Sequence, residues 1–150
     1  MTIRRATLHD LNEIRALDVI SWPETERPLS EQQWQERLKG RDLCFLSLDE
    51  SKVVGVILTE QLTFEPYNFE IDRLFVHPEH RKNGHARNLT QVILNIANQD
   101  KKKTFAAANS AHTGAKDFYL RLGFVEDEIV PCGNGSVYHG MTYTPDGVRL

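Results

Sequence analysis

Arg81, Lys82, Gly84 and Arg87 fall within one stretch, Leu74-Phe75-Val76-His77-Pro78-Glu79-His80-Arg81-Lys82-Asn83-Gly84-His85-Ala86-Arg87, whose residue types suit an anion. An apolar strand ends near Val76, His77-Pro78 turns the chain, and a basic loop with one glycine opens into an amphipathic helix. The first turn of a helix leaves amide N–H groups without intrahelical partners and carries the positive end of the helix dipole, so a loop feeding it can hold phosphate. Gly84 lets bare backbone approach the anion and take dihedrals that other residues resist. His77 and His85 read as polar turn residues. No two histidines have metal-ligand spacing, so no metal is expected. A nucleotide-hydrolase loop is disfavoured, because no lysine followed by serine or threonine comes after the glycine.

Two further sets of residues have chemical potential. Glu70 and Asp72 are at i and i+2 of the strand that delivers the cradle, so both project to one face, and neither belongs in a strand buried on both sides. They reach solvent, pair with Arg73 or a neighbour, or act on a substrate. Tyr119 lies on an apolar helical stripe with Phe118 and Leu122, where a half-buried packing role is the plain alternative to chemistry.

The rest of the chain must position these groups. Its 150 residues suit one domain over 1–150, and 18 basic against 21 acidic residues, with 40% hydrophobic content, describe an ordinary soluble globular protein. That balance suggests no nucleic-acid partner. No apolar run approaches the roughly 20 residues that span a bilayer, and Met1-Thr2-Ile3-Arg4-Arg5 lacks the apolar segment of a signal peptide, so no membrane partner and a cytoplasmic location are expected. Cys44 and Cys132 are too few for a disulfide framework and read as structural.

In chain order, Thr2 to Thr7 reads as a strand, and a helix follows from Leu8-His9-Asp10 with Leu11, Ile14, Leu17 and either Val19 or Ile20 inward. Ser21 to Pro28 holds two prolines, a tryptophan and acids, the makings of a substrate lid or of a solvated connector. Ser30 suits an N-cap for a second helix carrying Trp34 and Leu38 and ended by Gly40. Asp42 to Leu48 and Val53 to Leu58 form a hairpin, with Gly55 marking a bulge or a close backbone contact. Phe69 to Val76 is the strand before the cradle. The helix after it places Leu89, Val92, Ile93, Ile96 and Ala97 on a buried stripe, and Lys101-Lys102-Lys103 closes it as a solvated turn. Thr104 to Ala108 is a strand of small residues, and Thr113 to Leu122 a last helix stopped by Gly123. Val125 to Val130 and Val137 to Tyr143 flank Asn134-Gly135 as a final hairpin. The order β, α, α, β, β, β, α, β, α, β, β mixes hairpins with crossovers and requires a mixed sheet.

On these residues the chain resembles the GCN5-related N-acetyltransferase (GNAT) superfamily. Arg81-Lys82-Asn83-Gly84-His85-Ala86 matches the family's cofactor motif, Gln or Arg, two residues, Gly, one residue, Gly or Ala. Leu74 to Arg81 is similar to its approach strand, and Phe118-Tyr119-Leu120-Arg121-Leu122-Gly123-Phe124 to its later helix end. The resemblance implies an α/β (α+β) fold: a mixed, mostly antiparallel sheet of six to seven strands flanked by about four helices. It implies acetyl-CoA as co-substrate, with Leu74, Phe75 and Val76 pairing with the pantetheine arm and the amides from Lys82 through Asn83, Gly84, His85 and Ala86 to Arg87 on the pyrophosphate. Arg81, Gly84 and Ala86 shape that loop. Tyr119 stands where the family's tyrosine protonates the leaving sulfur. Glu70 falls where histone-acetylating members hold a general base, and Asp72 where others orient the amine. A glutamate that some ribosomal-protein acetyltransferases carry on the fifth strand is replaced by Ala107. The chain also departs from the family in having Lys82 where glycine is frequent, His85 where an apolar residue is frequent, and His112 where asparagine is usual. His112 either donates to the cofactor arm or caps the last helix.

The expected activity is direct acetyl transfer to a primary amine of a small molecule or peptide; a binding module that senses acyl-CoA without turnover is the alternative. Acids in 21–28, with Glu60 and Glu65, hint at a cationic acceptor. The number of copies in the assembly is open, a homodimer included.

Overall fold

The computed structural model describes residues 1–21, 28–110, 112, 114–131, 133 and 135–148. The lid or connector over 22–27, Cys132 and the Asn134 half of the hairpin signal lie outside them. The elements are β1 (Thr2–Arg5), α1 (Leu11–Ser21), α2 (Glu31–Lys39), β2 (Cys44–Asp49), β3 (Lys52–Gln61), β4 (Tyr67–Val76), α3 (His85–Asp100), β5 (Lys103–Asn109), α4 (Ala115–Arg121), β6 (Val125–Pro131) and β7 (Val137–Tyr143). Short 3-10 turns precede α1 at Leu8–Asp10 and follow β4 at Pro78–His80. The strands form one seven-stranded sheet in the order β1-β2-β3-β4-β5-β7-β6. β4 and β5 pair in parallel, whereas β1 with β2, β2 with β3, β5 with β7 and β6 with β7 pair antiparallel. This is the mixed, mostly antiparallel sheet with four helices that the sequence led us to expect.

The chain divides into two compact units, Met1–Gln61 with Arg73–Thr90 and Leu62–Asp72 with Gln91–Leu150. In the first, Ile14, Leu17, Trp34, Leu46, Val56 and Phe75 build the core, with the Trp34 and Phe75 rings edge to face at 6.2 Å. α1 corrects one expectation. Val19 and Ile20 are 63% and 51% exposed, and the inward stripe is Ile14, Leu17, Asp18 and Ser21. A 3.6-residue period starting from Ile14 and Leu17 reaches positions 18 and 21, so geometry seats a carboxylate inside. α2 is capped as expected: Ser30 Oγ accepts the Gln33 N–H at 3.1 Å, the Gln33 side chain accepts the Ser30 N–H at 2.8 Å, and Gly40 ends the helix. Gly55 combines both of its anticipated roles. The β2–β3 register shifts beside it, and a β-carbon there would lie 3.2 Å from Leu89 Cδ1.

In the second unit Thr104, Ala106, Ala108 and Met141 are buried on one sheet face, while Phe105 and Ala107 face the other way. α3 buries Leu89, Thr90, Ile93, Leu94 and Ala97, with Val92 and Ile96 only half-buried at its margins. The turn after it is less free than anticipated, because Lys102 pairs with Glu65. α4 starts at Ala115, and Gly123 follows it with φ +95°, a left-handed value suited to glycine. Phe124 N–H then donates to Tyr119 O at 3.1 Å.

Candidate functional site

The first unit holds the residues expected to form the cradle. His77 N–H donates to Val54 O at 2.8 Å. Backbone donors alternate sides along a strand, so the Val76 N–H points away from β3. His77 then accepts the Glu79 N–H on its Nδ1 at 3.1 Å, which starts the 3-10 turn. Arg81 folds back: its Nε donates to Val76 O at 3.2 Å and its Nη2 to Ser21 O at 3.0 Å. Arg81 is therefore a strut joining the loop, the end of β4 and the end of α1. Lys82 and Arg87 are exposed cations beside it, and Arg81 is itself exposed despite these bonds.

Lys82 has φ +67° and Gly84 φ +86°. The first is costly for a side-chain-bearing residue, about 1 kcal/mol, and it explains why glycine is frequent at that position in the resembling family. A β-carbon on Gly84 would meet nothing within 4 Å, so the backbone there is open to a ligand. Asn88 N–H donates to Gly84 O at 3.0 Å, which makes Gly84 the N-cap of α3. The N–H groups of His85, Ala86 and Arg87 then have no intrahelical carbonyl, and glycine offers no side chain to take them.

His85 departs from the expected polar turn residue. It begins α3 at 5% exposure, with Nδ1 2.6 Å from Oγ of fully buried Ser47. The position that favours an apolar side chain is thus filled by a neutral imidazole with a hydrogen-bond partner. Burial pushes the His85 pKa down, the nearby His80 adds to the shift, and Asp49 opposes it. A histidine harder to protonate folded than unfolded contributes stability above its unfolded pKa of about 6.5, and that contribution is lost as pH falls below it. Urea midpoints between pH 5 and 8 are expected to fall more steeply on the acid side for the wild type than for the Ser47→Ala/His85→Leu double variant. Parallel profiles would remove His85 as the source.

Alternation along β4 decides the acids. Phe69 and Ile71 are buried on one face, while half-buried Glu70 and exposed Asp72 share the other, as expected. Arg73 falls on the Phe69 side, where its Nη1 lies 3.2 Å from the carboxylate of fully buried Asp18. Asp18 also accepts from Trp34 Nε1 and from the Leu29 N–H, each at 2.9 Å. Sequence reading passed over Asp18 because one chain offers no sign that its donors converge.

In the second unit Tyr119 is 7% exposed, its ring centroid 5.2 Å from Phe118 and 5.1 Å from Phe124. Burial pushes its hydroxyl pKa up, so the phenol stays protonated. Phe124 in turn meets Tyr143 at 5.7 Å, whose register partner is buried Thr104. Tyr119 therefore lies over the covered sheet face, opposite the face of Glu70. At the start of α4 the N-cap is Gly114, and the His112 backbone carbonyl accepts the Ala115 N–H at 3.2 Å. Among the described residues no group of three or more His, Cys, Asp or Glu is placed to hold a metal ion, and no helix is long and apolar enough to cross a membrane.

A family model described as an acetyltransferase (GNAT) domain matches residues 19–145. A Streptococcus mutans protein superposes with a TM-score of 0.83 at 22% identity, over 96% of this chain and 99% of that one. A ribosomal-protein alanine N-acetyltransferase of Escherichia coli gives 0.79 at 17% identity, over 99% of both chains. An aminoglycoside N-acetyltransferase in complex with coenzyme A gives 0.82 at 17% identity, over 96% and 97%. Such identities speak to the fold. No curated protein sequence matches.

Proposed function

The chain belongs to the GNAT acetyltransferase family, and from that premise we propose that it moves an acetyl group from acetyl-CoA directly to a primary amine. The observation that carries this reading is the start of α3, where three N–H groups without an intrahelical carbonyl follow an open, left-handed Gly84 between Lys82 and Arg87. That array suits a pyrophosphate, and Arg81 holds it in shape. The Val76 N–H, turned away from β3, suits the carbonyl of an extended thioester ligand, where a donor aimed at developing negative charge lowers the barrier. In this reading Glu70, directly or through water, takes a proton from the attacking ammonium, and Asp72 orients it. The amine nitrogen forms a bond to the acetyl carbon and gives its second proton to solvent, the carbon–sulfur bond breaks, and the departing thiolate takes the Tyr119 proton, which the solvent later restores. A cytoplasmic location is part of the same reading.

A thiol-release assay with acetyl-CoA against a panel of amines and peptides tests it. Amine-dependent release of free CoA is expected. Tight acetyl-CoA binding without release for any acceptor would replace transfer by an acyl-CoA-sensing module.

A further inference from the structure

The second unit carries a cavity of about 470 Å³ on the open face of its sheet. Its volume lies within the range of small-molecule sites. Tyr67 and Phe105 supply rings, Asp127 and Glu128 carboxylates, Thr142 a hydroxyl and Lys103 a cation. The strand register relates this cavity to Glu70. Glu70 is the partner of Phe105, Phe105 of Thr142, and Thr142 of Val125, so one row of same-face residues crosses β4, β5, β7 and β6.

β6 contributes two adjacent acids to that face through an irregularity. Strict alternation would turn Glu128 away from Asp127. The β6–β7 register shifts between Glu126 and Glu128, so Val125 pairs with Thr142 while Glu128 pairs with Gly140. Asp127 is the extra residue, and its carboxylate accepts from Thr142 Oγ1. A bulge re-aims side chains in this way. The missing side chain at Gly140 completes the arrangement: a β-carbon there would lie 3.2 Å from Glu128 Cγ and 3.4 Å from the Phe105 ring. Glycine thus lets the acid and the ring close over one spot, and a carboxylate beside an aromatic face suits an ammonium group.

Lys103 gives the cavity a polarity. It precedes Phe105 by two residues on β5, whereas Glu128 aligns through Gly140 with Ala107, two residues after Phe105. The cation and the acid are therefore about 13 Å apart along the strand direction, and a second positive charge is steered to the acidic end. Three strand spacings separate β4 from β6, roughly 14 Å between backbones. Side chains reaching inward from both sides shorten the span to roughly 10 Å.

We infer that this cavity is the acceptor's specificity site: it binds the distal ammonium of a linear diamine or polyamine whose reactive amine lies at Glu70. The inference rests on the acetyl-transfer reading and adds the class of acceptor to it. It is tested with acetyl-CoA and a series of alkyl monoamines and diamines from diaminopropane to diaminooctane, on the wild type and on the Asp127→Asn/Glu128→Gln double variant. The wild type is expected to prefer the longer diamines over monoamines of equal length by roughly tenfold in kcat/KM, the scale of one or two exposed charge contacts with a cation over a ring. The double variant is expected to lose that preference through KM.

A diamine-to-monoamine ratio that is the same in both proteins overturns the inference. So does a variant that loses rate only with basic peptides, which would assign the face to a protein substrate. Calorimetric titration of diaminooctane into the protein separates the two levels of the reading. Binding that the variant weakens, without thiol release in either protein, retains the cation site and discards transfer. Release from monoamines, with diaminooctane binding that the variant leaves unaltered, does the reverse.

Discussion

Replacing Asp18 with alanine is expected to lower the unfolding free energy by about 3–5 kcal/mol, the cost of removing one partner from a buried ion pair. The Asp18 carboxylate is fully buried and accepts from the Trp34 indole, the Leu29 amide and the Arg73 guanidinium. Alanine would leave three donors facing a space that water enters poorly, one of them charged. For a domain stable by about 5–15 kcal/mol, this is a large fraction of the total. Asp18→Asn keeps one carbonyl oxygen but loses the charge that Arg73 faces, so a loss of about 2 kcal/mol is expected. Urea unfolding at neutral pH measures both, with an unchanged slope showing that the denatured state is not the cause. An alanine variant within about 1 kcal/mol of the wild type would mean that the pair does little more than offset its own desolvation. The double variant Asp18→Leu/Arg73→Met separates pairing from burial, since well-packed apolar replacements of buried ion pairs cost little.

The same residue marks the limit of what the sequence made legible. Element order, the Ser30 cap, the Gly40 and Gly123 stops, the Gly55 bulge and the β6–β7 hairpin rest on local rules, and each is found where those rules place it. Periodicity failed in α1 because a hydrophobic pattern assigns aspartate to the surface, whereas Asp18 is drawn inside by donors from residues 29, 34 and 73. His85 failed for the same kind of reason. Its partner Ser47 lies 38 residues away, and only the fold shows that an imidazole there can be buried with its nitrogen satisfied. The strand, loop and helix start around Gly84 were legible because they need only a short, contiguous string of backbone with one glycine. The role of Arg81 as a strut was not, since the carbonyl of Ser21 that it holds is 60 residues distant. Glu70 and Asp72 were placed on one face by alternation alone, but the second acid of the facing wall, Glu128, was invisible because a bulge reverses alternation.

Tyr119→Phe is expected to lower kcat by about a hundredfold, within the range of a lost general acid, with little change in KM for acetyl-CoA. The substitution removes one oxygen and keeps the ring between Phe118 and Phe124, so the fold should be undisturbed. Burial raises the Tyr119 pKa, which keeps the phenol in its donating form at any pH at which the enzyme is assayed. Two consequences follow for the pH–rate profile. A basic limb, where present, does not report Tyr119 ionisation, and the residual rate of the phenylalanine variant should fall toward acid pH more steeply with acyl donors whose thiol has a lower pKa, since solvent acid assists only the poorer leaving groups. Such a thiolate leaves without a proton, so an aryl thioester should recover much of the lost rate. Thermal midpoints of the two proteins, compared first, guard against a folding defect. A variant with wild-type kcat and wild-type donor dependence would make Tyr119 a packing residue and leave the leaving group to be protonated by water.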